Sequence, residues 1–489
     1  MHGSTTHDGG GISRRNFLRA AGASGVTASL AGCIYGASGA DGGSGATVVW
    51  GFDPTQAQEN GGKIKQLFYD NGLSNDITLE LEAGSAKTGG RQRSYQTILN
   101  AKQSSPDMFL MDCGWTIPFI QRKQLLNLQN ELPEARLKEV DDKYFTTSVR
   151  TTTDPETGDL YGVPLFPDLP TMQYRKDLVK QAGYRPDKEK WGANPMTWKR
   201  FNKITSDVMQ QTNTEMGFSF QFDAYSGLAC CDFNEFLSSW GGAYFGGVDN
   251  LFGPIGERPV TVAKKPVQQA TRMVRTFIHG QEDPASLSGY SKIAPQNVLT
   301  WTEEPSRQPF AAGDVVMHRN WPYAIPLTIS EADWAKPETY GVMPLPYAGT
   351  AKNATEKGAG GTSPALGGWH TTVNPNTNNK EAVMDVITTQ MKKDVQIGLF
   401  NITGWLPPKP DLFDTKAARS VEPTGKYLDA FKTAGENAIS RPVSVVWSPE
   451  SKATYQEVNA IASREQSVKA GLNTLDDRLR KIESSVSSQ

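Results

Sequence analysis

The sequence predicts an α/β fold with two or more lobes, and three observations lead to this prediction. The chain has 489 residues, which is too long for one simple hydrophobic core. Short strand-like segments alternate with amphipathic helical segments, an order typical of α/β proteins with parallel strands. Hydrophobic residues make up 37% and aromatic residues 9% of the chain, a composition typical of a soluble globular protein.

Periodicity and turn residues predict the individual elements. Residues 77–81 alternate apolar and polar side chains, as a strand does, and residues 106–112 form an apolar run that ends at Asp112. Thr197 is predicted to cap the helix that begins at Trp198. Strands are predicted near 47–50, at 77–81 and at 106–112. Helices are predicted at 61–70, 92–103, 117–128, 174–183, 198–210, 233–240, 265–278, 380–400 and 464–484, and a surface loop at 345–364.

The N-terminal region has the order of features of an export signal. Arg14 and Arg15 precede Phe17 and a mildly apolar stretch, which resembles a twin-arginine signal for export of folded proteins. Leu-Ala-Gly-Cys, ending at Cys33, resembles a lipobox, so Cys33 is predicted to carry the lipid. We therefore expect a signal at 1–32 and a flexible, lipid-anchored tether at 33–46.

The other three cysteines leave their pairing open. Cys230 and Cys231 are adjacent, and neighbouring cysteines rarely bridge each other because the small ring strains the backbone. A bridge from Cys113 to either of them is compatible with the sequence.

Charge and motifs argue against several classes of function. Lys plus Arg number 50 and Asp plus Glu 52, a formal net charge of −2, without the basic excess of a nucleic-acid-binding surface. The five histidines lack metal-ligand spacing, and no phosphate loop or Gly-x-Ser-x-Gly elbow occurs. No catalytic residues, metal or cofactor are predicted, and the chain is predicted not to be an enzyme.

A series of sequence blocks from about 47 to 460 resembles the family 1 extracellular solute-binding proteins, the sugar-binding group that includes maltose/trehalose-binding proteins. The blocks occur in the order found in that family. They are Ser105-Pro106-Asp107 to Trp115, Leu125 to Leu128, Tyr161 to Pro164, Tyr174 to Leu178, Pro195 to Trp198, Phe310 to Met317, Asn320 to Tyr323, Tyr340 to Pro346 and Gly367 to Trp369.

The resemblance implies a two-lobed periplasmic-binding-protein-like fold of type II, with the ligand cleft between the lobes. Crossing segments are expected near 160–164, 341–346 and 400. The first lobe is then expected to comprise 47–162 plus 344–400, and the second 163–343 plus 401–489.

A sugar site combines aromatic platforms for the ring faces with polar side chains for the hydroxyls. Asp112 ends a buried strand, where α/β folds place ligands, and the resemblance places Asp112 and Trp115 in the cleft. Asp168 matches a sugar-binding acid of the family, and Arg91 an arginine that binds a hydroxyl. The alternatives are a capping role for Asp112 and a solvated loop position for Arg91.

The resemblance also supplies candidates from later blocks. Trp321 resembles a stacking tryptophan of the second lobe, and Trp369 one of the first lobe, next to Gly368, where the backbone can approach a ligand closely. Arg441 and Trp447 match the family's late cleft block.

Three further residues are weaker candidates. Tyr225 lies in an irregular loop and is a lesser ligand-binding candidate. Trp405 either walls the cleft or packs beneath it. His370 is expected to be a neighbour of the site and not a ligand.

The sequence therefore predicts a monomeric, extracytoplasmic, lipid-anchored sugar-binding protein that delivers a disaccharide or oligosaccharide to an ABC-type importer. Its partners would be permease subunits with a separate ATPase, and its membrane contact would be the lipid on Cys33 at the outer face. The alternatives are another cargo, such as a polyol, glycerol phosphate or a polyamine, an extracytoplasmic hydrolase, and a protein that serves a receptor.

Overall fold

The computed structural model describes residues 45–85 and 87–486. The predicted signal at 1–32, the lipidation site Cys33 and the tether up to residue 44 lie outside the described residues. Among the helices that the structure describes, none combines the length and the apolar character needed to cross a membrane.

Two sheets organise the described part of the chain. Their strands are β1 (Ala46–Phe52), β2 (Ile77–Ala83), β3 (Met108–Asp112), β4 (Gly162–Asp168), β5 (Thr171–Arg175), β6 (Met216–Ser219), β7 (Val315–Asn320), β8 (Tyr340–Met343) and β9 (Gly367–Val373). The first sheet has the order β2-β1-β3-β9-β4, and the second has the order β6-β7-β5-β8. In the first sheet β1 pairs in parallel with β2 and β3, whereas β9 is antiparallel to β3 and β4.

Helices surround both sheets. They are α1 (Pro54–Asp70), α2 (Thr88–Asn100), α3 (Thr116–Gln121), α4 (Glu134–Lys143), α5 (Thr146–Arg150), α6 (Lys176–Gln181), α7 (Trp198–Thr212), α8 (Phe233–Ser239), α9 (Lys265–His279), α10 (Glu303–Ala312), α11 (Ala324–Glu331), α12 (Lys380–Gln390), α13 (Lys393–Thr403), α14 (Lys416–Arg419), α15 (Leu428–Glu436), α16 (Trp447–Ala462) and α17 (Val468–Val486). A π-helical turn, Leu228–Asp232, leads directly into α8.

Local sequence accounts for several of the helix ends. The Thr197 side chain accepts a hydrogen bond from the Arg200 N–H at 3.2 Å, which confirms the predicted cap of α7. Asp53 caps α1 in the same way, accepting from the Gln56 N–H at 3.0 Å, and Pro54 occupies the first turn. Asp53 therefore has a fixed position directly after β1.

The predicted helix at 174–183 is wrong at its beginning. Residues up to Arg175 form β5, which pairs with β7 on one side and β8 on the other, and only then does α6 begin. Tyr174 is buried in the second sheet. The tertiary pairing of a central strand therefore outweighs the helical pattern of the local sequence.

The crossings between the sheets differ from the expected boundaries. β4 belongs to the first sheet as far as Asp168, so the chain passes to the second sheet at 169–170 and not at 162. Pro164 and Pro167 are compatible with this strand because β4 lies at an edge of the sheet.

The return crossing also comes later than expected. Residues 344–361 stay with the second lobe, since the Ala348 N–H donates to the Ser239 carbonyl at 2.9 Å and the Gly360 N–H to the Ser238 carbonyl at 2.7 Å. The chain returns near Ala365, which bridges in parallel to Ile439 on a further connecting segment.

A buried ion cluster fastens the C-terminal helices to the second lobe. Arg258 donates to Glu450 of α16 at 3.0 Å and to Glu483 of α17 at 2.6 Å, and its guanidinium lies 3.7 Å from the centre of the Phe245 ring. Burial raises the pKa of Glu450 to about 9, and the neighbouring Glu483 adds to this effect. Glu450 is therefore neutral near pH 7, and Arg258 is balanced by one ionised carboxylate.

Candidate functional site

Four of the predicted site residues, Asp112, Asp168, Gly368 and Trp369, lie where β3 and β4 end and β9 begins. β9 lies between β3 and β4, and the strand register places Asp112 opposite Trp369 and Asp168 opposite Gly367. Two carboxylates and an indole thus lie together at one end of these strands, although the three strands come from distant parts of the chain.

Gly368 is required for this arrangement. Its φ is +120°, and a Cβ placed there would lie 2.5 Å from the Phe166 carbonyl oxygen. A side chain at this position would force β9 away from β4. Gly368 thus holds Trp369 in register beside Asp168.

One groove, which we call the aromatic groove, has a volume of about 300 Å³ and is lined by both lobes. The first sheet contributes Asp168 and Trp369, and the segment after β7 contributes Tyr323. Trp405 closes one side, stacked on Phe166 with ring centres 4.3 Å apart and planes within 13°. Trp405 therefore both walls the groove and packs on the first lobe.

A second groove, which we call the arginine groove, has a volume of about 680 Å³. Asp112 and Trp115 line it from the first lobe, and Cys230 and Trp447 line it from the second. Arg441, on the segment between α15 and α16, lies among them. The two grooves have no lining residue in common, but Asp112 of the arginine groove is the register partner of Trp369 of the aromatic groove.

Arg441 and Asp112 form an ion pair in the arginine groove. The Gly114 N–H also donates to the Asp112 carboxylate at 2.6 Å, and a Cβ on Gly114 would lie 2.8 Å from the Arg441 guanidinium carbon. Burial opposes the charge on Arg441, yet Asp112 and the nearby thiols raise its pKa well above the ordinary value. The two opposite charges leave this part of the cleft without a net charge.

Asp168 has a different electrostatic environment. Burial raises its pKa to about 7, and the charge of Asp112 acts in the same direction. Arg441 and Arg319 lower the pKa but do not compensate. Asp168 can therefore donate or accept a hydrogen bond near neutral pH.

Trp321 and Trp369 lie on opposite lobes at this junction. Trp321 directly follows β7, and a Cβ on Gly367 would be 3.0 Å from its ring, which places the indole against β9. Arg319 lies 4.5 Å from the Trp321 ring centre and is itself held by Glu235 of α8. The Trp321 ring thus has a fixed support from the second lobe.

Arg91 lies behind the site and not in the open cleft. It is 2% exposed and pairs with Asp53 at 3.1 Å, while its guanidinium lies 4.6 Å from the Trp369 ring centre. The guanidinium covers part of the indole. The Trp115 and Trp369 ring centres are 6.2 Å apart, and the two ring planes are nearly perpendicular. Arg91 therefore orients Trp369 in this structure.

Several buried donors at this junction have no partner among the described residues. They are the Arg91 Nη1, the Trp115 Nε1 and the Arg441 Nε groups. Buried polar groups are nearly always hydrogen-bonded in proteins, to protein, water or ligand. Trp115 and Arg441 line the arginine groove, so their unpaired donors are the ones placed next to a bound molecule, whereas Arg91 lies behind the site.

Tyr225, His370 and Trp447, which were considered from the sequence, contact residues that line neither groove. The Tyr225 hydroxyl donates to Glu303 at 2.8 Å, and Tyr225 does not line either groove. His370 is buried, with its Nε2 atom 2.9 Å from the Thr151 hydroxyl, and burial lowers its pKa to about 3. Trp447 begins α16, lines the arginine groove and packs edge-on against Tyr244 at 5.9 Å.

Several lining residues of the grooves were not singled out from the sequence, and Tyr323 and Asp53 are two of them. Tyr323 is 40% exposed and donates to Glu304 at 2.8 Å, and its proximity in the chain to Trp321 is the signal that points to it. Asp53 lines the aromatic groove, and its place after β1 with the following proline is a recognisable helix cap.

Comparison with known proteins gives a family and a fold. A family model described as "Bacterial extracellular solute-binding protein" matches residues 70–422. A Deinococcus radiodurans protein named "Probable ABC transporter-binding protein" is 27% identical over 421 residues, which cover 83% of this chain and 86% of that protein.

Solved structures with the same two-lobed α/β fold cover nearly the whole described body. Maltose-bound MalE3 of T. maritima has 22% identity and a TM-score of 0.67, covering 89% of this chain and 99% of that chain. The sugar-binding protein MalE of Xanthomonas citri has 17% identity and a TM-score of 0.68, covering 91% and 98%. At this identity the likeness establishes the fold, which confirms the predicted two-lobed architecture of periplasmic binding proteins.

Proposed function

Because the chain belongs to the bacterial extracellular solute-binding protein family, whose members are binding proteins and not enzymes, we propose that it captures a neutral sugar between its lobes and delivers it to an ABC-type importer. The observation that carries the proposal is the aromatic groove. There the rings of Trp369, Trp405 and Tyr323 and the carboxyl group of Asp168 come from two lobes. Apolar ring faces beside directional polar groups suit a pyranose.

The charge balance favours a neutral cargo over the charged alternatives. Arg441 is paired with Asp112, and Arg91 with Asp53, so neither arginine is available as a free phosphate-binding cation. Burial raises the pKa of Asp168 to about 7, which weakens its use as an anion for a polyamine. A sugar hydroxyl needs no net charge and can use both the donors and the acceptors of this cleft.

The neighbours support a glucose-containing oligosaccharide as the first ligand to test. One solved neighbour holds maltose, and another, a cyclo/maltodextrin-binding protein, holds maltotetraose. Asp112 of the arginine groove and Trp369 of the aromatic groove are register partners on neighbouring strands, and we propose that a ligand of several units extends from one groove into the other. We propose ligand contacts for residues that line the two grooves, namely Asp112, Trp115, Asp168, Trp369, Arg441 and Trp447. Trp321 and Gly368 line neither groove and, like Arg91, are proposed as positioning residues.

Calorimetry with maltose, maltotetraose, glycerol 3-phosphate and spermidine tests the cargo. We expect a neutral sugar to bind, and we expect Trp369→Ala to weaken binding by about tenfold or more, since the variant loses both the burial of the ring and an aromatic contact of about 0.5–1.5 kcal/mol. Trp334→Phe is the matched control, because Trp334 stacks on Tyr340 away from both grooves. Binding of glycerol 3-phosphate or spermidine alone would refute the sugar proposal.

Delivery at the membrane is a separate part of the proposal. It rests on the twin-arginine and lipobox patterns that end at Cys33. We expect cells that produce the protein to incorporate labelled fatty acid into it, and Cys33→Ala to abolish the label. If the parent protein is exported without the fatty-acid label, the proposal of a lipid anchor is wrong, and the proposal of sugar binding is unaffected.

A further inference from the structure

Positive charge is concentrated in one part of the second lobe. Residues 175–207 include α6, the segment 182–197 and most of α7. They contain nine Lys and Arg residues against four Asp and Glu residues, a net charge of +5, whereas the whole chain has a net charge of −2. The rest of the chain is therefore acidic, and this short part of the second lobe is the exception.

Contacts show that these cations belong to one surface, which we call the basic face and define as the Lys and Arg side chains of residues 175–207. Lys176 and Lys180 of α6 both pair with Asp187, at 2.5 and 2.7 Å. Arg200 of α7 pairs with Glu189. The segment that carries Asp187 and Glu189 thus contacts both helices, so α6, this segment and the beginning of α7 lie together.

Four cations of the basic face have no acidic partner. Arg185, Lys188, Lys190 and Lys199 are exposed, and none of them forms an ion pair with a residue that the structure describes. Each acid within 175–207 already pairs with a cation of the same face; these acids are Asp177, Asp187, Glu189 and Asp207. The surplus positive charge is therefore available to an external anion.

A groove of about 520 Å³ lies beside the beginning of α7. Lys199, Arg200 and Lys203 line it, and none of its described lining residues is hydrophobic. Asp207 also lines the groove, but it pairs with Lys203 at 2.7 Å. Phosphate oxygens suit such a groove because they accept hydrogen bonds and carry negative charge, whereas the apolar face of a sugar ring finds no partner in it.

The composition of the basic face favours a lipid surface over a protein partner. Six of its nine cations are lysines, and protein interfaces are depleted in lysine and enriched in aromatic side chains. The two large hydrophobic side chains that the structure describes as exposed, Tyr323 and Val445, line the grooves of the cleft and not this face. Lysines near a membrane are attracted to anionic headgroups without any apolar contact.

We propose that the basic face docks the second lobe on anionic phospholipid headgroups at the outer face of the cell membrane. The contact is electrostatic and reversible, and no side chain enters the hydrocarbon. The proposal uses the extracellular location of the family and depends neither on sugar binding nor on a lipid at Cys33. Docking keeps one side of the body towards the membrane, whereas a flexible tether alone leaves the body free to rotate.

Sedimentation with lipid vesicles tests the docking. The full-length chain carrying Cys33→Ala is mixed with vesicles of equal parts phosphatidylglycerol and phosphatidylcholine, or of phosphatidylcholine alone. We expect binding to the first vesicles only, and we expect sodium chloride to weaken it by screening the charges. The triple variant Arg185→Glu, Lys188→Glu, Lys199→Glu should bind about a hundredfold more weakly or less, since each cation near an anionic surface strengthens binding about fivefold.

The matched control is the triple variant Lys63→Glu, Lys87→Glu, Lys393→Glu. It reverses three lysines of the first lobe that are exposed and form no ion pair with a described residue. Both triple variants change the net charge by the same amount and keep the same N-terminal region, so a general charge effect or binding through residues 1–32 would affect them equally. We expect the control to bind as the parent protein does.

Three results would overturn the proposal: equal weakening in both triple variants, equal binding to both kinds of vesicle, or no binding to phosphatidylglycerol. Stronger displacement by inorganic phosphate than by sodium chloride of the same ionic strength would also overturn it, because the groove would then bind free phosphate. Thermal unfolding of each variant detects misfolding. Calorimetry with maltose separates the two proposals, because Arg185, Lys188 and Lys199 line neither groove of the cleft, and their variant should bind sugar as the parent protein does. Failure of the parent protein to bind sugar would leave the vesicle result unaffected.

Discussion

Two arginine clusters of this protein use the same chemical groups in opposite ways. Arg258 is enclosed between Glu450, Glu483 and the Phe245 ring, and each of its guanidinium nitrogens donates to a protein acceptor. Arg441 pairs with Asp112 at the cleft, and its Nε group has no partner among the described residues. An arginine whose hydrogen-bond donors all have protein partners stabilises the fold. An arginine beside a groove with a donor that lacks a partner can still hydrogen-bond a ligand.

The largest expected effect comes from removing the saturated cation. Arg258→Met leaves the ionised Glu483 buried without its counter-charge. Glu450 is already neutral near pH 7, so the variant has one buried uncompensated carboxylate and not two. We expect the free energy of unfolding to fall by about 3–5 kcal/mol, measured by denaturant unfolding. The sugar affinity of the folded fraction should stay unchanged.

The control for this variant is Lys138→Ala, which removes an exposed pair with Asp142 on α4. It should leave the unfolding midpoint where it is. If Arg258→Met unfolds at the same denaturant concentration as the parent protein, the interpretation of Arg258 as a fastening residue is wrong.

A smaller effect, and of a different kind, is expected at the cleft. Arg441→Met should weaken sugar binding by about tenfold to a hundredfold, because a hydrogen bond to a charged group contributes about 1.5–3 kcal/mol. The unfolding free energy should change less than in Arg258→Met, since water in the groove can solvate Asp112. Calorimetry and denaturant unfolding of the same samples measure both quantities, and a larger loss of stability than of affinity would reverse the comparison.

The smallest expected effect is a change in pH dependence at Asp168. Its pKa rises from the ordinary 3.8 to about 7 on folding, so between these values the folded state binds more protons than the unfolded state. The contribution of Asp168 to stability is then fully present below pH 4 and declines as the pH rises towards 7.

Asp168→Asn should remove this part of the slope. We expect the thermal midpoint of the variant to rise relative to that of the parent protein as the pH increases from 5 to 8. Thermal unfolding of both proteins in the same buffers measures this difference. Taking the difference cancels the contributions of other buried acids such as Glu450. An unchanged slope would mean that Asp168 is ionised throughout this range.

Much of the fold could be predicted because its signals are local. The alternation of β2 and the cap at Thr197 depend on neighbouring residues, and both are confirmed. The family blocks likewise led to the two-lobed fold. β5 could not be recognised, because its strand form depends on β7 and β8, which are distant in the sequence.

The site shows the same limit. Asp112, Asp168 and Trp369 could be selected from strand ends and family blocks, and the structure brings them to one edge of the first sheet. The pairing of Arg91 with Asp53 and of Tyr225 with Glu303 could not be foreseen, because each depends on contacts between separate elements. Composition and periodicity carry no information about such partners.

The position of β9 sets the order in which the molecule can be completed. β3 and β4 are both bonded to β9 and not to each other, and the whole second sheet lies between β4 and β9 in the chain. A nascent chain therefore cannot close its first sheet until residue 373 has left the ribosome, by which time the strands of the second sheet are already available. Assembly of the N-terminal half thus waits for the C-terminal half, and a truncation before β9 would leave two strand edges exposed to aggregation.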